Sequence, residues 1–287
     1  MSSDIDRGVQ LPGEDQIPLA PVLSSNDTGA LLIVILLYVG FATVVIWALY
    51  KWFRHREVLP CVLLVAGVIA ANIEPLGDHV GLIVYAPDIH WFDYWLMGRQ
   101  MPSFILVAEC SYVAFGCYYA YRLIEQGASF ARLTFISAVL VGIPEIIVEV
   151  LWHEWGIIRY YGDNATRIFG IPLYSIVQNS TLLPFYGVVT WLGATYLKGW
   201  NILWLWLAIP TATIGYVVGV SWPVYITIQS SAPALVTWAA AIVVMVTSVA
   251  VTYAALQYPE IRERRERAAR GSDPGIPDMP VAVAAGA

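Results

Sequence analysis

Glu145, Glu149 and His153 recur at four-residue spacing in VGIPEIIVEVLWHEW, residues 141–155, so a helix would stack them along one side, with Glu154 beside them. A carboxylate at the middle of a bilayer costs about 2.5 to 3.5 kcal/mol on insertion scales, so a pair one turn apart needs partners or a task. Other apolar runs carry the same anomaly. Glu109 lies in LVAECSYVAF, Glu74 in ANIEPLGDH just before Asp78 and His79, and Ser175, Gln178 and Asn179 in LYSIVQNS. Carboxyls crowded into a low dielectric cannot all ionise, which predicts at least one protonated acid beside another that can accept a proton. Arg99, placed just above such a layer, would pair with a carboxylate and set its charge. Glu149 and His153, approached by His79 or His90, have ligand-like spacing as well. There is no HExxH pattern and the chain has only four His, so the metal reading is set aside and no cofactor is implied.

The elements that must position these groups are transmembrane helices. Of 287 residues, 59% are hydrophobic and 13% are charged, which excludes an ordinary soluble domain. About seven apolar runs approach the roughly 20 residues needed to cross a hydrocarbon core. They fall near 30–50, 58–76, 102–122, 131–152, 171–195, 201–220 and 233–255. The expected fold is therefore an all-α polytopic membrane bundle, one domain over 30–257, with a disordered N-terminal tail over 1–29. A second disordered tail, basic and then Pro/Ala-rich, is expected over 258–287. With the N-terminus outside and the C-terminus inside, eleven Lys and Arg fall on the cytoplasmic side and four outside (Arg7, Arg99, Arg159 and Arg167). The expected location is the cell membrane, multi-pass, with the bilayer as a partner. The net charge of -6 sits in tails and outer loops. IRERRERAAR reads most simply as a cytoplasmic anchor flank.

On this topology four helices deliver polar groups to one outer layer. Glu145 lies about seven residues, roughly 10 Å, below the outer end of the fourth span, with Glu149 above it. Glu109 enters from the third span, Asn179 from the fifth, and Glu74 closes the second, with Asp78 above it. Intramembrane polar groups usually face the bundle interior and mark substrate routes, proton relays or interhelical bonds; Gln178 and Asn179 suit the last role as well as the first. The outer loops, DHVGLIVYAPDIHWFDYWLMGRQ and HEWGIIRYYGDNATRIFG, would form a lid that excludes water. Cys61, Cys110 and Cys117 are read as packing residues within spans. Nucleic acid is excluded as a partner, since no phosphate-cradling Gly loop or organised basic face is present.

ANIEPLGD, MGRQMPSF and RYYGDNATRIFGIPLYSIVQN together resemble the actinobacterial membrane proteins grouped as AveC-like spirocyclases. The matching features are Glu74-Pro75-Leu76, Gly98-Arg99 with Pro102, and Gly170-Ile171-Pro172-Leu173 with Asn179, in order across roughly residues 60–190. The chain departs from the pattern at Leu173-Tyr174-Ser175, where the family often carries two aromatics. The resemblance implies closure of a spiroketal on a dihydroxyketone polyketide, in some members with a dehydration, and hence a hydrophobic small-molecule substrate. It supplies no catalytic residues, so the roles rest on the residues themselves. Glu145 and Glu149 would be the acid-base pair, with Glu109 or Glu74 opposite, while Asn179, Arg99, Asp78, His153 and Gln178 orient substrate or tune charge. The same carboxyls would also serve a membrane terpenoid or carotenoid cyclase or hydratase, or a proton-coupled transporter, although no inverted repeat or second polar layer is seen.

Overall fold

The computed structural model describes residues 18–89, 93–96 and 98–270. It is an all-α bundle of membrane-spanning proportions. Among the described residues, six helical stretches are long and apolar enough to cross a membrane: Asp27–His55, Leu59–Gly81, Ser103–Glu125, Phe130–Glu154, Gly199–Ile228 and Ala234–Ala255. A further helix, Leu173–Tyr196, has the length of a span but is more polar, because it carries Ser175, Gln178, Asn179, Ser180 and Thr181.

Each helix begins and ends for a local reason. Helix α1 (Asp27–His55) starts where the Asn26 side chain accepts from the Gly29 N–H, with Asp27 in its first turn. It stops at Arg56, which turns left-handed and returns its N–H to the carbonyls of Lys51 and Trp52. The second span divides into α2 (Leu59–Ala71) and α3 (Glu74–Gly81). Pro75 at the start of α3 has no N–H to continue the ladder, so Glu74 opens a new helix instead of closing the old one.

The third span is α4 (Ser103–Ser111), a π-helical segment Tyr112–Cys117, and α5 (Tyr118–Glu125). The fourth repeats this form as α6 (Phe130–Ser137), a π-helical segment Ala138–Gly142, and α7 (Ile143–Glu154). Helix α8 (Leu173–Tyr196) and α9 (Leu205–Ile228) contain Pro184, Pro210 and Pro223 within their lengths, which buried helices tolerate when neighbours satisfy the freed carbonyls. A 3-10 turn, Gly199–Trp204, leads into α9, and α10 (Ala234–Ala255) completes the bundle.

Helices α8, α9 and α10 pack mutually, α2 lies against α4 and α9, α5 lies on α8, and α1 covers α4 and α2. The main core joins Leu63, Ala66, Val113, Tyr186, Ile209 and Val244. Helices α2 and α4 approach closely enough that a Cβ on Gly67 would stand 2.7 Å from the Cys110 Cα, the small-residue contact common between membrane helices.

One end of the bundle is capped by strands that the sequence reading did not anticipate. Strand β1 (Ile83–Tyr85) pairs antiparallel with β4 (Ile158–Tyr160), placing Ile83 opposite Tyr160 and Tyr85 opposite Ile158. Strands β2 (Tyr94–Leu96) and β3 (Arg99–Met101) form a hairpin, as do β5 (Arg167–Ile168) and β6 (Ile171–Pro172). Phe169 and Gly170, both at positive φ, make the second turn.

Both expected tails need correction where they are described. Residues 27–29 belong to α1, and the segment before them is tied down: Ser24 Oγ donates to Asp88 at 2.8 Å and Asn26 N–H to the Trp155 carbonyl at 2.8 Å. At the opposite end Pro259–Ala269 form α11, because Ile261 is buried and Arg264 reaches Glu125. Residues 1–17 and 271–287, and His90 in the first loop, lie outside the described residues.

Candidate functional site

A cavity of about 310 Å³ lies under the strand cap, and Glu74, Glu109, Glu145 and Glu149 all line it. Three elements deliver them. Glu74 comes from the first turn of α3, Glu109 from the end of α4 just before one π segment, and Glu145 and Glu149 from α7 just after the other. Successive members feel one another's charge: Glu145 that of Glu149 and Glu109, Glu149 that of Glu74, and Glu109 that of Glu74. The four form a closed ring of mutually repelling carboxyls. Among the described residues no Lys, Arg or His joins the wall.

Each α7 carboxyl is held by a neutral donor. The Asn179 amide of α8 donates to Glu145 Oε1, while Glu145 Oε2 is buried without a partner among the described residues. Tyr160 of β4 shares its hydroxyl between the two oxygens of Glu149, at 3.0 Å each. Burial raises the Tyr160 phenol well above its ordinary range, and the charges of Glu149 and Glu145 add to the effect, so its proton stays on and it remains a donor. The Tyr85 phenol is raised likewise, by burial first and then by Asp78 and Glu74.

The remaining wall is aromatic and apolar. Ile83, Tyr85, Ile158 and Tyr160 form the roof from the β1/β4 pair, and Tyr112, Tyr186, Tyr225 and Trp152 stand around the sides. At the floor, Tyr186 hydrogen-bonds Thr213 at 2.6 Å, and the Tyr112 hydroxyl donates to the Asn179 carbonyl at 3.4 Å.

Of the residues singled out from the sequence, the structure brings Glu74, Glu109, Glu145, Glu149, Gln178 and Asn179 to one wall. Gln178 also ties α8 to α9, donating to the Val217 carbonyl at 3.1 Å. Three others stand apart. Asp78 is fully buried at 0% exposure behind Glu74, off the cavity wall, with neither oxygen bonded among the described residues. Arg99 makes no ion pair with a carboxylate among the described residues; its guanidinium donates to the Ile83 carbonyl and to the Tyr161 hydroxyl, and so braces the roof, although Asp78 feels its charge.

His153 does not reach the cavity. Eight residues along an α-helix rotate a side chain by about 80° from its start, so His153 has drifted off the Glu145 side while Trp152, at seven residues, has returned to it. The His153 ring instead lies beneath the β5/β6 turn at Gly170.

The tyrosines are the members that sequence reasoning missed. Tyr112 is three residues from Glu109, and Tyr186 seven from Asn179, so helical periodicity could have found both. Tyr160 and Tyr85 had no such signal, because their places depend on pairing between residues 83–85 and 158–160. No group of three or more His, Cys, Asp or Glu side chains among the described residues is arranged to hold a metal ion. Compared with family models, curated proteins and solved structures, the chain matches none of them.

Proposed function

We propose that the protein is a membrane-embedded cyclase that closes a spiroketal on a dihydroxyketone by general acid-base catalysis, in the cell membrane with the strand-capped end outside. The observation that carries this reading is the ring of four carboxyls around one aromatic-walled cavity, with no cation among the described residues of its wall to fix their charge. Such a ring holds its protons in common, so a proton given up on one side can be recovered from the other.

Spiroketal closure uses that property. A protonated Glu gives its proton to the hemiketal hydroxyl, which leaves as water, and the C–O bond breaks to an oxocarbenium ion. The second alcohol then attacks that carbon while an ionised Glu takes its proton. The acid has lost a proton and the base has gained one, and exchange around the ring restores both. Each positioned group supplies typically 100- to 10,000-fold. Glu145, with one oxygen unbonded, suits the acid, and Glu149, whose two oxygens accept from Tyr160, suits the base. The roof excludes water, and a close-fitting wall favours one folded conformer and hence one spiro configuration.

The aromatic wall favours a second reading, a terpenoid cyclase in which the protonated carboxyl attacks an alkene and Tyr and Trp rings stabilise the cation. The two are separated by substrate. Purified protein in detergent, with no ion gradient, should convert a linear dihydroxyketone to a single spiroketal diastereomer, while spontaneous closure gives a mixture. A diastereomer ratio equal to the protein-free control removes the spiroketal reading. Turnover of a polyprenyl substrate instead would establish the second.

A further inference from the structure

We propose that the cavity opens sideways into the bilayer along the seam between α4 and α7, and that the substrate enters and lies there by its apolar chain. This rests on the cyclase reading for the identity of the reacting head group. The seam itself is argued from packing.

Size is the first argument. Pockets for small molecules run from about 300 to 1,000 Å³, so a cavity of about 310 Å³ accepts the reacting part of a long substrate and not the whole of it. The remainder must leave through the wall.

The wall is thinnest at α7. The π segment Ala138–Gly142 is the same helix continued, and apart from it α7 packs mainly on strands β4 and β6. Below α7, the chain is clamped to α8: Ser137 donates to the Ser180 carbonyl at 2.5 Å, and Gly142 sits so close to Ser180 that no side chain would fit between them. Above, Trp152 closes against Phe104 of α4 in an edge contact at 5.2 Å.

Between these fixed points the outer side of α7 is lightly covered. Val148 lines the cavity and is 37% exposed, and its neighbour Ile147, off the cavity wall, is 55% exposed. Ala108 and Ile105 of α4 line the same cavity, and neither offers a polar side chain. The strand end, by contrast, is packed into a second apolar cluster that includes Tyr85, Phe104, Ile158 and Tyr160. An apolar chain passes through a Val and Ala seam at no cost in hydrogen bonds, and the bilayer is where such a chain is dissolved.

The occupant is the substrate rather than a membrane phospholipid, because the seam leads to carboxyls that need a hydroxyl or ketone to meet. The test uses the full chain in phosphatidylcholine vesicles and two photoreactive probes: a long-chain dihydroxyketone with a mid-chain diazirine, and a phosphatidylcholine with the diazirine in its acyl chain. Cross-linked positions are read by mass spectrometry. The dihydroxyketone should label Ala108 and Val148 saturably, and this labelling should be lost in Val148→Trp and in Ala108→Leu while labelling at Ile147 persists.

Two variants on facing helices keep the test usable if one fails to fold. Labelling that survives both blocking substitutions, or equal labelling of the seam by the phospholipid, overturns the proposal. Labelling confined to Tyr85 and Tyr160 would assign entry to the strand end and overturn it too. No turnover is needed, so a protein that labels as stated but closes no spiroketal keeps the seam and loses the cyclase chemistry.

Discussion

Glu57 and Glu125, at the α11 end of the bundle, each have an aromatic donor and a cation. Tyr118 donates to Glu57 at 2.8 Å with Lys51 at 3.4 Å, and Trp191 donates to Glu125 at 2.6 Å with Arg264 at 3.4 Å. Under the strand cap, Glu149 has its tyrosine and Glu145 its amide, and among the described residues neither has a cation. A cation beside a carboxylate stabilises the charged form and leaves it nothing further to do. Remove the cation, keep the donor, and the carboxyl has a fixed position and a proton it can exchange. The difference between the two ends is therefore in charge compensation, since both ends use the same kind of hydrogen bond.

The largest effect should follow from removing that exchangeable proton. Glu145→Gln and Glu149→Gln preserve shape and much of the hydrogen bonding, so folded yield should hold while stereoselective turnover falls about 100-fold or more. The double variant should fall little below the worse single one, because the ring acts as a unit. His153→Gln, outside the cavity, should stay near the parent rate. Two Gln variants that retain stereoselective turnover would show that the uncompensated carboxyls are structural, and Glu109 with Glu74 would be the pair left to examine.

A smaller pair of effects sets the functional donor against a structural one. Tyr160→Phe removes the O–H held by Glu149; at about 1.5 kcal/mol for a hydrogen bond to a charged group, turnover should drop about 10-fold with KM unchanged. Tyr216, on α9, makes a comparable hydroxyl network in the apolar middle of the bundle, with Thr181 at 2.7 Å, the Ser248 carbonyl at 3.0 Å and Thr252 at 3.1 Å. Tyr216→Phe removes that hydroxyl while Thr181 and Thr252 keep their bonds to backbone carbonyls, and it should cost about 0.5 to 1.5 kcal/mol of stability with kcat intact. A rate loss in Tyr216→Phe matching that of Tyr160→Phe would erase the distinction.

The smallest effect concerns Asp88, a carboxylate at the strand end that is well compensated. Burial is the largest single influence and raises it, but the Ser25 N–H and the Ser24 hydroxyl together outweigh that and hold it below the ordinary aspartate range. A carboxyl whose folded value is depressed stabilises the fold above its unfolded value, about 3.9, and loses that contribution as pH falls through the folded one. Protection of the Ser25 amide against hydrogen exchange, corrected for intrinsic rate, should hold from neutral pH to about 5 and fall below about 4. In Asp88→Ala, which has no side-chain acceptor, it should be low throughout. A Ser25 amide equally protected in both proteins would mean that the N-terminal segment is held by Asn26 and Trp155 alone.

Much of the carboxyl ring was legible because a Glu inside an apolar run is anomalous on its own, with no knowledge of its neighbours. Asn179 was legible for the same reason. What escaped was whatever depends on contacts between distant positions. Nothing local in IIRYY indicates that Tyr160 will stand opposite Ile83 and reach Glu149. The segment PEIRERRERAA looked like a tail because a single buried residue, Ile261, and a cation, Arg264, dock it on a core formed by other helices. Arg99 was expected to meet a carboxylate; neighbouring strands offered carbonyl and phenol oxygens first.

The two π segments have a consequence for how this chain tolerates change in length. A π turn carries one residue more than the α-helix around it needs, and everything beyond it is turned by about 100° relative to an unbroken α-helix. Glu109 and Glu145 stand on opposite sides of such a step from α5 and α6, the parts that dock on α8. Dropping Val139, whose side chain faces outward, would let the segment relax to α-helix and swing Glu145, Glu149 and Trp152 together off the cavity. For these two helices residue count is thus as much a part of the site as residue identity, and a deletion at a position with no chemistry of its own would take two of the four acids off the wall.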